Sequence, residues 1–487
     1  DIQHDDFDVS YWGTPIVPST FALDPIGGVI ETPDGRTIDR RMSRLNYNAN
    51  DVVTKLDNKW TQFKVLWKPA EDVAVRNDVY YSLSDREWKN AEAYSFNSAT
   101  NLIDRDRFFV SHGVTLVGNR FDTSVNRSLG GFANRFLAGL DVSAMEFLRI
   151  PRYRGDVDSV DPLNPVPGVF GPLEPFGYTT QNVNTAAFFV EDYFSLRSDL
   201  KLALSARAER IDADHGAFDF APGESVTEDP SGGTPIPEET FGRVFTPFTW
   251  KAGLIYDTRS NLSLYGHVAT SADPADADLV FGVQDFDLAT GRQIEVGAKQ
   301  SLAHGVEWTA AYYWLVRKNV LTQTSPTTSD AVGQQSTKGV EFSLGARPVE
   351  RWQIRATATA LDAQYDDFKE TVDDVLVSRD GNRPPNVPNV VIDLQSSVRF
   401  GGRRPVEVGG VYRYVGERFN GLDNSVRMLG YNRADAFAIW RIDRIQITGR
   451  VRNLFNEDYA NWGSQFYTTQ VSLGAPRSGE IEVGFRF

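Results

Sequence analysis

The chain's clearest signal is an alternation of apolar and polar positions held for about one membrane crossing. From Gly305 to Arg317, one row is Val306, Trp308, Ala310, Tyr312, Trp314 and Val316; the other is Glu307, Thr309, Ala311, Tyr313, Leu315 and Arg317. Successive side chains of a strand point to opposite faces, so the pattern predicts a strand with one greasy face and one wetter face. A tilted strand of this length spans a bilayer. "LKLALSARAERID", "NLSLYGHVATS" and "RIQITGRVRNLF" repeat the pattern. So does "GEIEVGFRF" from Gly479 to Phe487, with Ile481, Val483, Phe485 and Phe487 on one side and Glu480, Glu482, Gly484 and Arg486 on the other. With both rows intact, this last strand is expected to have both edges occupied, because an open edge of that kind invites aggregation.

The segments between these strands alternate between short and long. Short connections fall near Ser198, Arg259, His304, Pro348, Gly402 and Asp443. Between them lie long polar stretches at residues 154–183, 212–245, 272–291, 319–337, 362–388, 418–430 and 456–478. Outer-membrane barrels have this asymmetry, with short periplasmic turns and long extracellular loops, whereas soluble sandwiches mix their loop lengths. Extending the alternation backwards adds strands at residues 59–68, 73–83, 107–118, 131–147 and 185–195, for about 18 strands in all. The fold class is therefore all-β, a transmembrane antiparallel β-barrel.

Composition changes this picture little. The 487 residues are 41% hydrophobic and 24% charged, and the mean hydropathy of -0.35 would suit a soluble protein. No apolar run approaches the roughly 18 residues of a membrane helix; the longest is "AAYYWLV", Ala310 to Val316. Barrel strands leave average hydropathy near that of a soluble chain. A formal charge of -15 argues against a nucleic-acid surface. The absence of cysteine removes disulfides, thiol catalysis and thiolate metal sites.

At this point the residues resemble a known family. "VRNLFNEDYA" (Val451 to Ala460) followed by "LGAPRSGEIEVGFRF" (Leu473 to Phe487) is similar to the C-terminal signature of TonB-dependent outer-membrane receptors, in particular their ferric-siderophore branch. "RQIEVGAKQ", "STKGVEFSLGARP", "NRPPNVPNVV" and "AAFFVEDYFSLRSDLKLALSARAERID" extend the resemblance over nearly the whole chain, and "QHDDFDVSYWGTPIVP" looks like an early outer loop. The resemblance implies a barrel of about 22 strands, a plug domain inside it, and uptake driven by the inner-membrane TonB complex. This chain has no recognisable plug, TonB box or signal peptide, so residues 1–487 are expected to be the barrel domain of an N-terminally incomplete chain.

The implied partners are a ferric siderophore, the TonB complex through the missing part, outer-membrane lipid and the barrel-assembly machinery, with no nucleic acid and a monomeric state. The implied location is the Gram-negative outer membrane. Iron(III) enters only as chelated cargo, and no cofactor is implied. A passive porin, or a receptor for cobalamin, haem or oligosaccharide, is the alternative.

No HExxH, phosphate-binding loop, GxSxG or zinc-spaced cluster is present, so no enzymatic role is expected. The five histidines are scattered, and His267 on an inward row reads as a lumen-lining polar residue. The carboxylates at Asp5, Asp6 and Asp8, at Asp366 and Asp367, and at Asp373 and Asp374 lack the spacing of an EF-type calcium loop and read as solvated charge. Candidate cargo contacts are aromatic residues at outer strand ends and in loops: Tyr11, Trp12, Trp88, Tyr94, Tyr178, Phe281, Tyr365, Phe419 and Trp462, together with Arg105. Aromatic walls with a few polar groups bury a compact chelate well. The same residue types also form interfacial girdles on barrels. Arg86 and Arg383 are further cations that would meet anionic cargo, although loop salt bridges explain them equally well.

Overall fold

The computed structural model describes residues 2–7, 12–171, 177–219, 234–258, 261–274, 287–325, 328–465 and 467–485. Eighteen strands form one antiparallel meander, each paired with the next along the chain. The first six are β1 (Ile2–Phe7), β2 (Val53–Ala70), β3 (Val73–Asn90), β4 (Leu102–Leu129), β5 (Phe132–Val160) and β6 (Gly177–Arg197). Next come β7 (Leu200–Asp219), β8 (Phe248–Asp257), β9 (Leu262–Asp273), β10 (Ala289–Leu302), β11 (Val306–Ser325) and β12 (Thr328–Val349). The last six are β13 (Trp352–Asp367), β14 (Val390–Phe400), β15 (Val406–Val415), β16 (Tyr431–Ile442), β17 (Ile445–Arg452) and β18 (Ser478–Phe485).

Short turns join the strands at one end and long segments at the other, as the spacing predicts. The turn between β4 and β5 is Gly130–Gly131, with φ of 61° and 89°. A two-residue hairpin needs positive φ at both positions, which glycine adopts without strain.

The two faces separate as the alternation requires. On β11, Tyr312 and Trp314 stand outward and remain 47% and 43% exposed, and Val296 and Val340 stand beside Tyr312 in register. Leu264, Ile392, Leu394, Tyr412 and Trp440 continue the exposed belt along neighbouring strands. A contiguous apolar belt of this extent is not tolerated in water, but it is what hydrocarbon demands. The opposite face is wetter, with Tyr265 donating to Glu295 at 2.9 Å. Ala310 stands between Ala298 and Phe342 on the outward row, and Ala311 between Gly297 and Glu341 on the inward one.

The strands run much further outward than the alternation suggests. β4 and β5 have 28 and 29 residues, roughly 90 Å of chain at ~3.3 Å per residue, against a hydrocarbon core of about 30 Å. The polar stretch at 319–337 belongs largely to paired β11 and β12. Further pairs, Lys369–Val372 with Val375–Ser378 and Arg418–Asn420 with Val426–Met428, lie inside the other stretches read as loops. Beyond the membrane both faces of a strand are wet or loop-covered, so the apolar row that reveals it is lost.

The last strand also differs from expectation. β18 pairs with β17, where Arg450 meets Glu480 and Glu482 at 2.9 and 3.3 Å and Arg452 meets Glu480 at 2.7 Å. Its outward row is exposed, with Ile481 at 80%. Its other edge has no ladder partner among the described residues, so only one edge is occupied. That edge lies at the seam between the two ends of the meander, β18 and β1, where the run of paired strands stops. Phe487 lies outside the described residues.

Above this seam the two ends nevertheless meet. Thr14–Pro15 pairs with Gln470–Val471, and Ile30–Glu31 with Arg427–Met428. A sheet whose first and last outer segments touch has curled through a full circuit. A wall one sheet thick has no interior of its own, and the largest apolar cores lie in the outer cap. One gathers Ile16, Ile26, Ile38, Val426, Met428 and Val471; another gathers Val17, Met42, Tyr47, Tyr94, Ile103 and Phe170.

Candidate functional site

The outer mouth is assembled by segments remote in sequence. Trp12 precedes Gly13, whose φ of 150° brings the chain so close to the Val471 carbonyl that an added Cβ would lie 3.3 Å from it. Thr14 then pairs with Val471, and the Ser472 hydroxyl donates to the Trp12 carbonyl at 3.3 Å. Trp88 stands at the outer end of β3, and Trp462 ends the short strand Ala460–Trp462. The three indoles converge: Trp12 meets Trp88 edge-on with centroids 4.9 Å apart, and Trp462 lies 5.8 Å from Trp12.

Buried amides hold the segments in place. The Gln470 amide nitrogen donates to the Glu92 carbonyl at 2.8 Å, and its oxygen accepts from the Tyr94 backbone at 2.6 Å. Asn386 donates to the Gly463 carbonyl at 2.6 Å and accepts from its N–H at 3.0 Å. Each amide is engaged at both its nitrogen and its oxygen, which fixes its orientation and ties the two segments together.

The charged groups come from the wall. The Arg86 guanidinium lies over the Trp88 ring at 4.5 Å, and the Trp88 indole donates to Glu92. Trp12, Arg86, His112, Arg149, Asn386 and Trp462 line a cavity of about 340 Å³. A second cavity of about 430 Å³ touches Arg86 and His112 but is lined mainly by the outward row, with Lys55, Asp57, Asp85 and Glu87. His112 lies above the hydrocarbon belt, since its pairing level carries Asp85 and Glu146 on the outward rows nearby. Burial, then the positive charges of Arg86 and Arg149, bring its imidazole down to about 3. It is therefore neutral at ordinary pH, and the mouth presents two cations, the Glu92 carboxylate held by the Trp88 indole, the indoles of Trp12 and Trp462, and a few amides. Nothing in this set suggests bond-making chemistry; it is suited to holding an anion with flat apolar faces.

Of the sequence candidates, Trp12, Trp88 and Trp462 are brought together. Tyr94 is fully buried and packs on Tyr47 at 5.7 Å. Arg105 is 1% exposed, bound to Asp158 at 2.6 and 3.1 Å and to the Tyr47 and Pro167 carbonyls. Tyr365 is buried against Phe368, and Tyr178 against Phe218 with rings 4.6 Å apart. These four form loop and wall cores and leave almost no surface for a ligand in this conformation. Phe419 is half-buried beneath Arg383, with the guanidinium 5.8 Å from its ring, and does not line the mouth cavity. Tyr11 and Phe281 lie outside the described residues. Arg149, Glu92 and Asn386 went unmarked in the sequence, and His112 was only one of five scattered histidines. Nothing in their local pattern separates them from other wet-face residues.

The family described as TonB dependent receptor-like, beta-barrel matches residues 3–454. The chain belongs to that family. Its members are transporters rather than enzymes, and their barrels reside in the Gram-negative outer membrane. The chain is 23% identical over 462 residues to the catecholate siderophore receptor Fiu of Escherichia coli K12, covering 88% of this chain and 57% of Fiu. It is 24% identical over 257 residues to the probable TonB-dependent siderophore receptor PiuA of Acinetobacter baumannii, covering 49% of this chain and 34% of that one. It thus spans about half or less of the length of these curated relatives. The solved structure of the A. baumannii siderophore receptor PiuA superposes with a TM-score of 0.82 at 17% identity, over 99% of this chain and 71% of the other. The ferric-catecholate import receptor Fiu superposes with a TM-score of 0.79 at 17% identity, over 100% and 71%. These likenesses establish the 18-stranded meander as the wall of a receptor barrel.

Proposed function

We propose that the protein is an outer-membrane receptor that captures a ferric siderophore at its mouth for import driven by the TonB complex, and that catecholate chelates are the preferred class. The observation that carries this reading is the convergence of Trp12 and Trp462 with Arg86 and Arg149 around one outward cavity, with Trp88 packed against Trp12 and beneath the Arg86 guanidinium. A ferric catecholate is an anion with flat aromatic rings. Indoles would stack on those rings, and guanidiniums would meet the charge. The relatives carry names of siderophore receptors, which supports the same choice. Import, as distinct from capture, rests on family membership.

The test is titration of the intact receptor with purified ferric catecholate, hydroxamate and carboxylate chelates, following tryptophan fluorescence. Catecholates are expected to bind most tightly, and Trp12→Ala and Arg86→Gln to weaken them. Tighter binding of another class, or catecholate binding indifferent to both substitutions, would overturn the reading.

A further inference from the structure

Two cavities of the barrel wall are on the outside, facing lipid, one above the other. The upper one, about 810 Å³, has an apolar floor of Phe248, Ile294, Trp314 and Val316. Its upper part carries Arg292, Lys318, Thr270, Thr290 and Gln334. The lower one, about 680 Å³, follows the same strands toward the membrane centre. There Ala298, Ala310, Ala358 and Ala360 form a shallow floor between Leu264, Tyr312, Val340, Phe342 and Ile392. Register makes the channel continuous, because Ile294 pairs with Trp314 and Val296 with Tyr312, the next outward pair below.

The cations sit where a lipid head group would be. Arg292 pairs with Val316, the next outward level above Trp314, and Lys318 is one level higher still. At ~3.3 Å per residue they stand roughly 7 and 13 Å along the strand above that tryptophan, and tryptophans of a barrel girdle mark the interface. Both side chains are exposed, and neither has an ion-pair partner among the described residues. Asp287, the acidic group lining the same cavity, faces Arg243 at 3.7 Å. Lys338, on the next strand, pairs in register with Asp362 and influences Asp366, so its charge is locally balanced.

We propose that this face of β8–β14 is a specific seat for an outer-leaflet lipid whose phosphate head group carries net negative charge, its phosphate held by Arg292 and Lys318 and its acyl chains lying in the alanine-floored groove. The occupant is fixed by two features that occur together: unpaired positive charge at head-group depth, and a chain-shaped apolar groove directly below it. A lipid lacking either anionic head or chains satisfies only half of the site. This seat is on the opposite face of the wall from the mouth and does not depend on the cargo reading.

The experiment is native mass spectrometry of the intact receptor in mild detergent, titrated with phosphatidylglycerol, with phosphatidylcholine of the same chains, and with inorganic phosphate as competitor. Phosphatidylglycerol is expected to be retained preferentially, and inorganic phosphate not to displace it. At about fivefold in affinity per cation near an anionic head group, Arg292→Gln with Lys318→Gln should lower phosphatidylglycerol retention by roughly tenfold to thirtyfold and leave phosphatidylcholine unchanged. Ala298→Leu with Ala310→Leu, which fills the groove and keeps the outward row apolar, should lower retention while both cations remain. Heat-modifiable electrophoretic mobility checks that each variant is a folded barrel. Equal retention of the two lipids, retention unchanged by the charge substitutions, or displacement by inorganic phosphate would each overturn the proposal; the last would reduce the site to a simple anion contact.

Discussion

Arginine placed at position 310 or 311 tests the assignment of the two faces with a one-residue shift. Ala310 lies midway along the apolar row of β11, with Ala298 and Phe342 beside it and hydrocarbon outside. A guanidinium there must snorkel past Tyr312 and Trp314 or remain desolvated, at a cost of about 2–4 kcal/mol near the midplane. Ala311 lies between Gly297 and Glu341 on the inward face. The inward face is wet and Glu341 offers the guanidinium a partner, so the cost should stay below about 1 kcal/mol, the range of a solvated ion pair. The difference of about 2–3 kcal/mol is roughly 30-fold to 150-fold in the folding equilibrium. The assay is refolding of each variant into lipid vesicles along a urea series, with the folded fraction read from heat-modifiable mobility. Equal midpoints, or a greater loss at 311, would refute the face assignment and with it the membrane orientation of this strand.

Further outcomes can be checked independently. Asp39 is buried, caps Arg40–Met42 and accepts from the Leu23 and Arg41 backbones at 2.9 Å. Its hydrogen bond from the Arg41 side chain, the largest influence, helps bring it down from 3.8 to about 2. Because the folded value is the lower one, its stabilisation is complete above pH ~4 and fades as pH falls toward 2; limited proteolysis of residues 12–52 across that range should show accelerating cleavage, and Asp39→Asn should cleave rapidly even at pH 7. His112, brought from 6.5 to about 3, favours the neutral form when folded, so the stability tied to it is full above 6.5 and falls as pH drops toward 3. His112→Phe should flatten that part of the pH–stability curve, and an unchanged slope would remove His112 as its source. Trp12→Ala should weaken chelate binding about tenfold or more, as expected for a central aromatic anchor, with unchanged barrel mobility. Arg105→Met leaves the partly exposed Asp158 without its partner and the buried Tyr47 carbonyl without its donor, a loss of about 1–3 kcal/mol for an unsatisfied buried acceptor, seen as faster hydrogen exchange in the outer cap.

The parts of the fold legible in the sequence are those where hydrocarbon imposes a rule on every second residue. β11 and β18 declared their faces through Trp308, Tyr312 and Trp314 and through Ile481, Val483 and Phe485. The outer parts of β5, β7, β11 and β12 obey no such rule, and they read as loops. For the site, type alone picked out Trp12, Trp88 and Trp462, but it picked out Tyr94 and Arg105 equally. What separates the two groups is whether cap segments fold over them, a long-range matter set by partners such as Gln470 and Tyr47. The opening between β18 and β1 had no signal either, because alternation reports the two faces of a strand and says nothing about its edges.

The hydrogen bond from the Tyr94 backbone to Gln470 joins positions 376 apart, and the one from Ser472 to Trp12 joins positions 460 apart. Contacts of such separation carry a large closure cost and form late. The tryptophan mouth therefore cannot exist on a nascent or partly inserted chain. Competence to bind becomes a built-in certificate that β1 through β17 have already gone round the wall and brought the last outer segment home.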